Sequence, residues 1–257
     1  MKNALIGYTG FVGSTLLKQT KFDELYRSTN IQDICGKEFD YVVCAGAPAQ
    51  KWIANREPEQ DLIKINELIE QLKTIRCKKF ILISTVDVFK DPNNVDENTL
   101  IDEEGLHPYG LHRYYLEKFV QSHFDDYLIV RLPGLVGPGL KKNIIFDFLN
   151  ENNLNLIDSR HIFQFYPMVN LWSDIQVALK EKISLLHLTA EPITVSEVAE
   201  QGFNLTFNQV LENVIPVRYD MKTCYLDLFS SKQGYQYSKK ETLLAIRAYA
   251  QSEVRVK

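Results

Sequence analysis

The sequence predicts an α/β protein, a doubly wound parallel sheet with a small C-terminal lobe. Three observations point there. Short apolar runs alternate with helical patterns through the first half of the chain, the rhythm of βαβ units. One of those runs, Phe80-Ile81-Leu82-Ile83, is apolar at every position, which suits a strand covered on both faces. Three glycines at three-residue spacing stand between the first apolar run and the first helix.

Asn3-Ala4-Leu5-Ile6 is the first strand, and a helix follows from Phe11 to Lys18. Glu24-Leu25-Tyr26 makes a weak second strand and Tyr41-Val42-Val43-Cys44 a stronger third. Pro58 occupies a first-turn position and opens a helix in which Leu62, Ile65, Ile69 and Leu72 recur at helical spacing. After the Phe80–Ile83 strand come a helix from Tyr109 to Ser122 and a further strand, Tyr127-Leu128-Ile129-Val130. Pro133, Gly134, Gly137, Pro138 and Gly139 then break the rhythm. Beyond them lie a helix near Ile144–Asn150, an aromatic stretch over Phe163–Tyr166 and a helix near Leu171–Lys182. Thr194-x-x-Glu197 and Ser238-x-x-Glu241 read as capping boxes, the second opening a terminal helix to Ser252. The expected division is 1–135 for the sheet domain and 136–257 for the small lobe, with segments of the lobe returning to the sheet.

Composition narrows the function classes. Among 257 residues, 29 Lys and Arg face 33 Asp and Glu, a net charge of −4. That balance argues against nucleic acid or an anionic membrane as the main partner, since both want a basic excess. No apolar run approaches the ~18 residues of a spanning helix, and Gly7 comes too early for a signal-peptide apolar region. Cys35, Cys44, Cys77 and Cys224 form no C-x-x-C pair, so the chain reads as reduced and cytoplasmic. The five histidines lack metal-ligand spacing, and no metal site is expected. The acidic stretch Asp91–Glu104 reads as a solvated loop; Phe163, Phe165, Tyr166 and Trp172 read as core of the small lobe.

Gly7-Tyr8-Thr9-Gly10-Phe11-Val12-Gly13 carries the first chemical signal. A turn that receives a dinucleotide must be tight, must bring backbone close to a pyrophosphate and must let the helix pack against the strand. The helix N-terminus then offers N–H groups and a partial positive charge to the anion. This motif resembles the T-G-x-x-G-x-x-G class of the short-chain dehydrogenase/reductase superfamily, in its extended branch of NAD(P)-dependent sugar-nucleotide epimerases, dehydratases and reductases. Further stretches of that branch follow in order. Cys44-Ala45-Gly46-Ala47 is similar to the small-residue segment beside adenine and ribose, and Asn66 matches a recurrent helix asparagine, though a solvated helix face would also account for it. Ser84-Thr85-Val86-Asp87-Val88-Phe89 resembles S-[ST]-x-x-V-Y. Arg131-Leu132-Pro133-Gly134-Leu135-Val136-Gly137-Pro138 resembles R-x-P-x-x-Y-G-P, with Val136 where tyrosine is frequent. The resemblance implies a Rossmann-type domain over residues 1–135.

Tyr109-Gly110-Leu111-His112-Arg113 resembles Y-G-x-x-K, with Glu117 four residues on. Residues four apart share a helix face, so a cation at 113 stands beside the phenol at 109 and should favour its phenolate. The resemblance implies that Thr85 bonds the reacting oxygen, that Tyr109 moves the proton and that the cation at 113 holds the nicotinamide ribose. Arginine replaces the family's lysine here, and an arginine has no accessible neutral form, so any relay through a neutral amine is lost. At the ribose of the adenosine half, Arg27-Ser28-Thr29 follow the second strand where an NAD site carries a carboxylate. A guanidinium with two hydroxyls suits a 2′-phosphate, which favours NADP(H) over NAD(H). A strand displaced by a few positions would instead let Asp23 or Glu24 serve NAD(H).

The expected site is therefore Thr85, Tyr109 and Arg113 for catalysis. Gly7, Thr9, Gly10, Phe11, Val12, Gly13, Arg27, Ser28, Thr29, Cys44, Ala45, Gly46, Asn66, Tyr109, Arg113 and Pro133 would bind the cofactor. Thr85, Asp87, Lys142 and Asn143 would meet the substrate, although Lys141-Lys142-Asn143 also reads as a solvated helix start. The expected function is hydride transfer at a hydroxyl or keto group of a nucleotide sugar or similar metabolite. A dehydratase would carry an acidic pair directly after Thr85, and Val86 interrupts it, so reductase or dehydrogenase chemistry is favoured. The alternative is a dinucleotide-binding sensor or scaffold with impaired catalysis. Family members pair through helices equivalent to Glu59–Ile75 and Tyr109–Ser122, so a homodimer is expected by resemblance.

Overall fold

The computed structural model describes residues 2–229 and 233–255. In chain order the first elements are β1 (Asn3–Ile6), α1 (Phe11–Gln19), β2 (Glu24–Tyr26), β3 (Glu38–Cys44), α2 (Lys51–Arg56), α3 (Pro58–Leu72) and β4 (Arg76–Thr85). Next come β5 (Asn93–Val95), α4 (Pro108–His123), β6 (Tyr127–Leu132), β7 (Gly134–Val136) and α5 (Ile144–Asn150). The rest are β8 (Ile162–Phe163), β9 (Phe165–Pro167), α6 (Leu171–Lys180), β10 (Leu185–His187), β11 (Ile193–Thr194), α7 (Val195–Glu197), β12 (Asp220–Met221) and α8 (Lys239–Ser252). No described helix is long and apolar enough to cross a membrane.

Two units share the chain. The first runs to Lys90 and resumes over Leu100–Arg131 and Trp172–Leu186. Its six-stranded sheet has the order β10-β6-β4-β3-β1-β2, and the pairs β1–β2, β1–β3 and β3–β4 are parallel. The chain leaves β1 for the β2 edge and then returns past β1 to β3, so the order reverses there. In a doubly wound sheet a ligand crevice opens at such a reversal, outside the carboxyl ends of the strands. Alternate strand residues feed two layers. Ala4, Ile6, Val42, Cys44, Phe80 and Leu82 pack in one cluster with Ile65, Leu68, Ile69 and Leu72 of α3 and Leu116 and Val120 of α4. Leu5, Val43 and Ile81 between them are equally buried outside that cluster, which is why these strands read as unbroken apolar runs.

Two expectations about packing change, and one helix appears where none was expected. Leu62 is exposed, and Leu68 takes the place expected of it on the buried face of α3. A separate helix, α2, precedes Pro58. Trp172 belongs to the first unit, its backbone N–H bonded to the Gln19 side chain and its ring packed with Phe22 and Tyr41.

The second unit comprises Asp91–Thr99, Leu132–Leu171 and the chain from His187 onward. Short strand pairs, β5–β12, β7–β9 and β8–β11, replace a sheet. Phe165 and Tyr166 are buried in it, as expected of its core. Glu97 of the acidic stretch is more than solvated loop: its carboxylate accepts from the backbone N–H groups of His187 and Cys224 and from the hydroxyl of Thr223.

Candidate active site

Gly7 ends β1 with φ +85, and a Cβ there would lie 2.3 Å from the carbonyl oxygen of Ala45, just past β3. A Cβ on Gly13 would lie 2.2 Å from the carbonyl oxygen of Gly7. These two glycines, and Gly46 against Ile6, are demanded by the chain's own close packing. Gly10 is different. Its φ is −74, and a Cβ would meet nothing nearer than the Gly7 oxygen at 3.4 Å. The protein alone would admit a side chain there, yet the position is left bare at the start of α1. Gly10 caps that helix without a side-chain bond, and no acidic residue stands in its first turn. The first N–H groups of a helix have no intrahelical partner, so Phe11, Val12 and Gly13 open toward the space that Gly10 leaves. Thr9 is exposed beside it. This cradle fits a pyrophosphate.

The N-terminus of α4 is built differently. The Tyr109 N–H donates to Asn55 Oδ1 at 3.0 Å, and the Gly110 N–H donates to His107 Nδ1 at 3.0 Å. A Cβ on Gly110 would stand 2.0 Å from the carbonyl oxygen of Asp87. Gly110 thus lets α4 dock on the short turn Val86–Val88 that follows β4, and this docking brings Tyr109 to Thr85. The Thr85 hydroxyl stands close enough to the phenol to favour its ionised form. Thr85 Oγ1 also accepts the Asp87 N–H at 3.1 Å and lies 3.4 Å from Asp87 Oδ2. Asp87 Oδ1 is paired with Lys51 Nζ at 2.7 Å.

The phenol of Tyr109 is 9% exposed, and burial raises its pKa above the ordinary value. Arg113 opposes that rise, Asp87 adds to it, and the Thr85 hydroxyl and Lys51 pull it back part of the way. The expected depression by an adjacent cation is therefore corrected: desolvation of the phenolate outweighs the cation. His107 is pushed the other way, below its usual range, by burial and then by Lys51. A neutral imidazole is what its Nδ1, accepting a backbone N–H, requires.

Arg113 is held by the chain's own residues. It lies buried under the ring of Tyr109, with its guanidinium carbon 4.1 Å from the ring centroid. Both of its terminal nitrogens bond the Asp61 carboxylate, with further bonds to the carbonyl oxygens of Pro48 and Tyr109. His112 Nδ1 meets the same carboxylate at 2.7 Å. Burial alone would raise the Asp61 pKa, but its bonds from Arg113 and His112 outweigh that and hold it below the usual range. Of the Arg113 nitrogens, only Nε, itself buried, has no hydrogen-bond partner among the described residues. These bonds clamp α3 to α4.

Arg27, Ser28 and Thr29 follow β2 directly and are exposed. Asn30 fixes the turn, accepting from the Arg27 N–H at 2.7 Å and donating to the Leu25 carbonyl at 3.0 Å. The two alternative carboxylates are engaged elsewhere: Glu24 pairs with Lys2 and Lys37 inside the strand, and Asp23 accepts the Asn3 N–H. Asn66 is exposed on α3, five positions from Asp61 and on another face of the helix, outside the Tyr109 cluster. Glu117 and Arg131 prove architectural. Glu117, fully buried, accepts from the Ser84 hydroxyl and holds Arg131 through two bonds of 3.0 and 2.7 Å, joining α4, β4 and β6.

Pro133, Lys142 and Asn143 belong to the second unit. Pro133 is buried between β6 and β7, and Lys142 is exposed. Asn143 caps α5. Its Oδ1 accepts the Ile145 N–H and its Nδ2 donates to Leu135, each at 2.9 Å. Among the described residues no group of three or more His, Cys, Asp or Glu could hold a metal ion.

Sequence reasoning missed Lys51, Asn55, Asp61 and His107. The one available signal was the i, i+4 pair Lys51 and Asn55 between β3 and Pro58, which places an amine and a carboxamide on one side of a short helix.

Comparison with known proteins extends these observations. The profile of a family described as the NAD dependent epimerase/dehydratase family matches residues 22–159, more than half of the 257. The matched span includes Thr85, Tyr109 and Arg113; the glycine turn precedes it. No curated protein matches. Among solved structures, MoeE5 in complex with UDP-glucuronic acid and NAD is 13% identical with a TM-score of 0.76, covering 99% of this chain and 100% of that one. A dTDP-4-dehydrorhamnose reductase from Yersinia enterocolitica is 16% identical with a TM-score of 0.70, covering 98% and 99%. RMD from Pseudomonas aeruginosa complexed with NADPH is 17% identical with a TM-score of 0.70, covering 99% and 100%. At these identities the likeness speaks for the fold, and the profile speaks for descent. The chain belongs to the NAD dependent epimerase/dehydratase family.

Proposed function

We propose that the chain is an NADP(H)-dependent reductase acting on a keto group of a nucleotide sugar or similar metabolite, with Tyr109 as general acid. The observation that carries this reading is a phenol buried near the hydroxyl at the end of β4, where burial favours its protonated form. When bound, the nicotinamide supplies hydride chemistry. The chain's residues do the rest. Thr85 orients the substrate oxygen with its hydroxyl, and Tyr109 passes its proton to that oxygen as negative charge develops there. The N–H groups at the start of α1 hold the pyrophosphate, and Gly10 leaves room for it. Arg27, with the hydroxyls of Ser28 and Thr29, meets the 2′-phosphate, a reading supported by the engagement of Asp23 and Glu24 elsewhere. The UDP-glucuronic acid and dehydrorhamnose reductase named for the structural neighbours support the substrate class.

Two copies pair, in this reading, through the faces of α3 and α4 that leave Leu62, Ile63 and Tyr115 exposed. A monomer by light scattering at micromolar concentration would overturn that pairing.

One observation favours the alternative of a cofactor-binding sensor: Arg113 is committed to Asp61. Calorimetric titration with NADPH and NADH, together with Tyr109→Phe, separates the two. The reductase reading expects NADPH at least tenfold tighter, about 1.4 kcal/mol. It also expects Tyr109→Phe to keep that affinity while slowing reduction of a dTDP-4-keto sugar by about 100-fold or more. NADPH binding without turnover on keto sugars would favour the sensor. Binding of neither nucleotide would end both readings.

A further inference from the structure

Every N–H group in the first turn of α4 has a partner, and one of those partners titrates. Pro108 brings no N–H, the Tyr109 N–H goes to Asn55 Oδ1 at 3.0 Å, and the Leu111 N–H closes on the His107 carbonyl at 3.1 Å. The Gly110 N–H goes to His107 Nδ1 at 3.0 Å. The asparagine oxygen accepts at any pH. A histidine nitrogen accepts only while it carries no proton. Gly110 is also buried, and a Cβ on it would stand 2.0 Å from the Asp87 carbonyl oxygen and 3.0 Å from His107 Cε1. Without the imidazole its N–H would be a buried donor with no acceptor, which is costly.

We propose that His107 is a positioning residue for Tyr109: its neutral ring fixes the first turn of α4 on the turn Val86–Val88, and protonation of the ring in mild acid undoes the cap and frees the phenol from its position. The inference rests on Tyr109 being the acid of the site. An imidazolium would turn an N–H toward the Gly110 N–H. It would also set a positive charge at a helix end that already carries a partial positive charge. The charged and titratable groups around the ring are Lys51 on α2, Asp87 after β4, and Tyr109 and Arg113 on α4. Burial and then Lys51 hold the ring below its ordinary value of 6.5, Arg113 adds to the lowering, and Asp87 opposes it. With the folded value below the unfolded one, the cap is complete above pH 6.5 and is lost as pH falls through the folded value.

The test follows the ring and the amide together in the intact protein. Nuclear magnetic resonance reads the His107 ring against pH, and deuterium exchange reads the Gly110 amide over the same range, corrected for its intrinsic rate. The ring is expected to titrate below pH 6.5, and Gly110 protection to drop about fivefold or more through that titration, the usual effect of losing a helix cap. His107→Asn, a cap that does not titrate, should keep Gly110 protected throughout, and His107→Ala should leave it poorly protected at every pH. In NADPH-dependent reduction the acid limb of kcat should follow the ring and move about one pH unit lower or more in His107→Asn. A ring that titrates while Gly110 protection stays constant would overturn the proposal, and that result needs only the unmodified protein. So would a ring that takes up no proton before acid unfolding, or an acid limb in His107→Asn that coincides with the original. A failure of the reductase reading shows separately, as absent turnover of keto sugars at every pH while Gly110 still follows the ring.

Discussion

A methyl group added to Gly13 would sit 2.2 Å from the oxygen of Gly7, whereas one added to Gly10 would find only that same oxygen at 3.4 Å. The difference separates what the fold needs from what a ligand needs. Gly13→Ala should lower stability by about 1–3 kcal/mol, the usual cost of overpacking. Gly10→Ala should cost under about 1 kcal/mol as a helix cap, yet weaken NADPH binding at least tenfold, about 1.4 kcal/mol. Urea midpoints and calorimetric titration measure the two effects. A Gly10→Ala protein that binds NADPH like the original would place the anion somewhere other than above this turn. The glycines were legible because a turn is a local object and its demands fall on adjacent residues. The fate of Arg113 was not. Its partner Asp61 lies 52 positions earlier, in the first turn of α3, where an acidic residue reads as an ordinary helix-terminus charge. The same distance problem hid Lys51, 36 positions from Asp87.

At the scale of elements, legibility followed burial. Strands covered on both faces are continuous apolar runs, and β1, β3, β4 and β6 stand where those runs predict them, each of the last three extending beyond its run. Elements that bury little left little trace. α2 spans six residues and buries only Ala54, so no apolar period announces it. The strands of the second unit are two or three residues long, too short for an alternation to register. The capping box at Thr194 is real, with both reciprocal bonds formed, but the helix it opens keeps its tight winding only through Glu197. It then widens over Val198–Gly202. Local capping sets where a helix begins; how it continues depends on packing. A Cβ on Gly202 would stand 2.6 Å from Ile246 Cγ2, so α8 presses directly on this turn. The box at Ser238, by contrast, opens a helix of 14 residues that buries Leu243, Ile246 and Tyr249 at helical spacing, and it runs to Ser252 as read.

Several ion-paired carboxylates in both units share one tendency that bears on the response to acid. Glu24 is raised by burial, but its bonds from Lys2, Tyr26 and Lys37 prevail and take it from 4.5 to about 2. Asp61 is held below its ordinary value in the same unit, burial being outweighed by Arg113 and His112. In the second unit Asp158 is lowered chiefly by Arg160, and Glu197 is lowered by Lys239 and Thr194 against its burial. A carboxylate whose folded pKa lies below its unfolded one binds fewer protons folded than unfolded between the two values. Stability from such groups is complete above the unfolded pKa and drains away as pH falls through the folded one. The chain should therefore lose stability steadily from about pH 4.5 toward pH 2, the span over which Glu24 titrates in the unfolded and then the folded state. Urea midpoints at pH 6, 4 and 3 should fall in that order, and Glu24→Gln should flatten the part of the slope that Glu24 carries. Asp147, raised by burial, works in the opposite sense but stands against several lowered groups, so the sign of the total is set by the ion-paired carboxylates. A midpoint that holds constant from pH 6 to 3 would mean that these pairs form no more strongly in the folded chain than in the unfolded one.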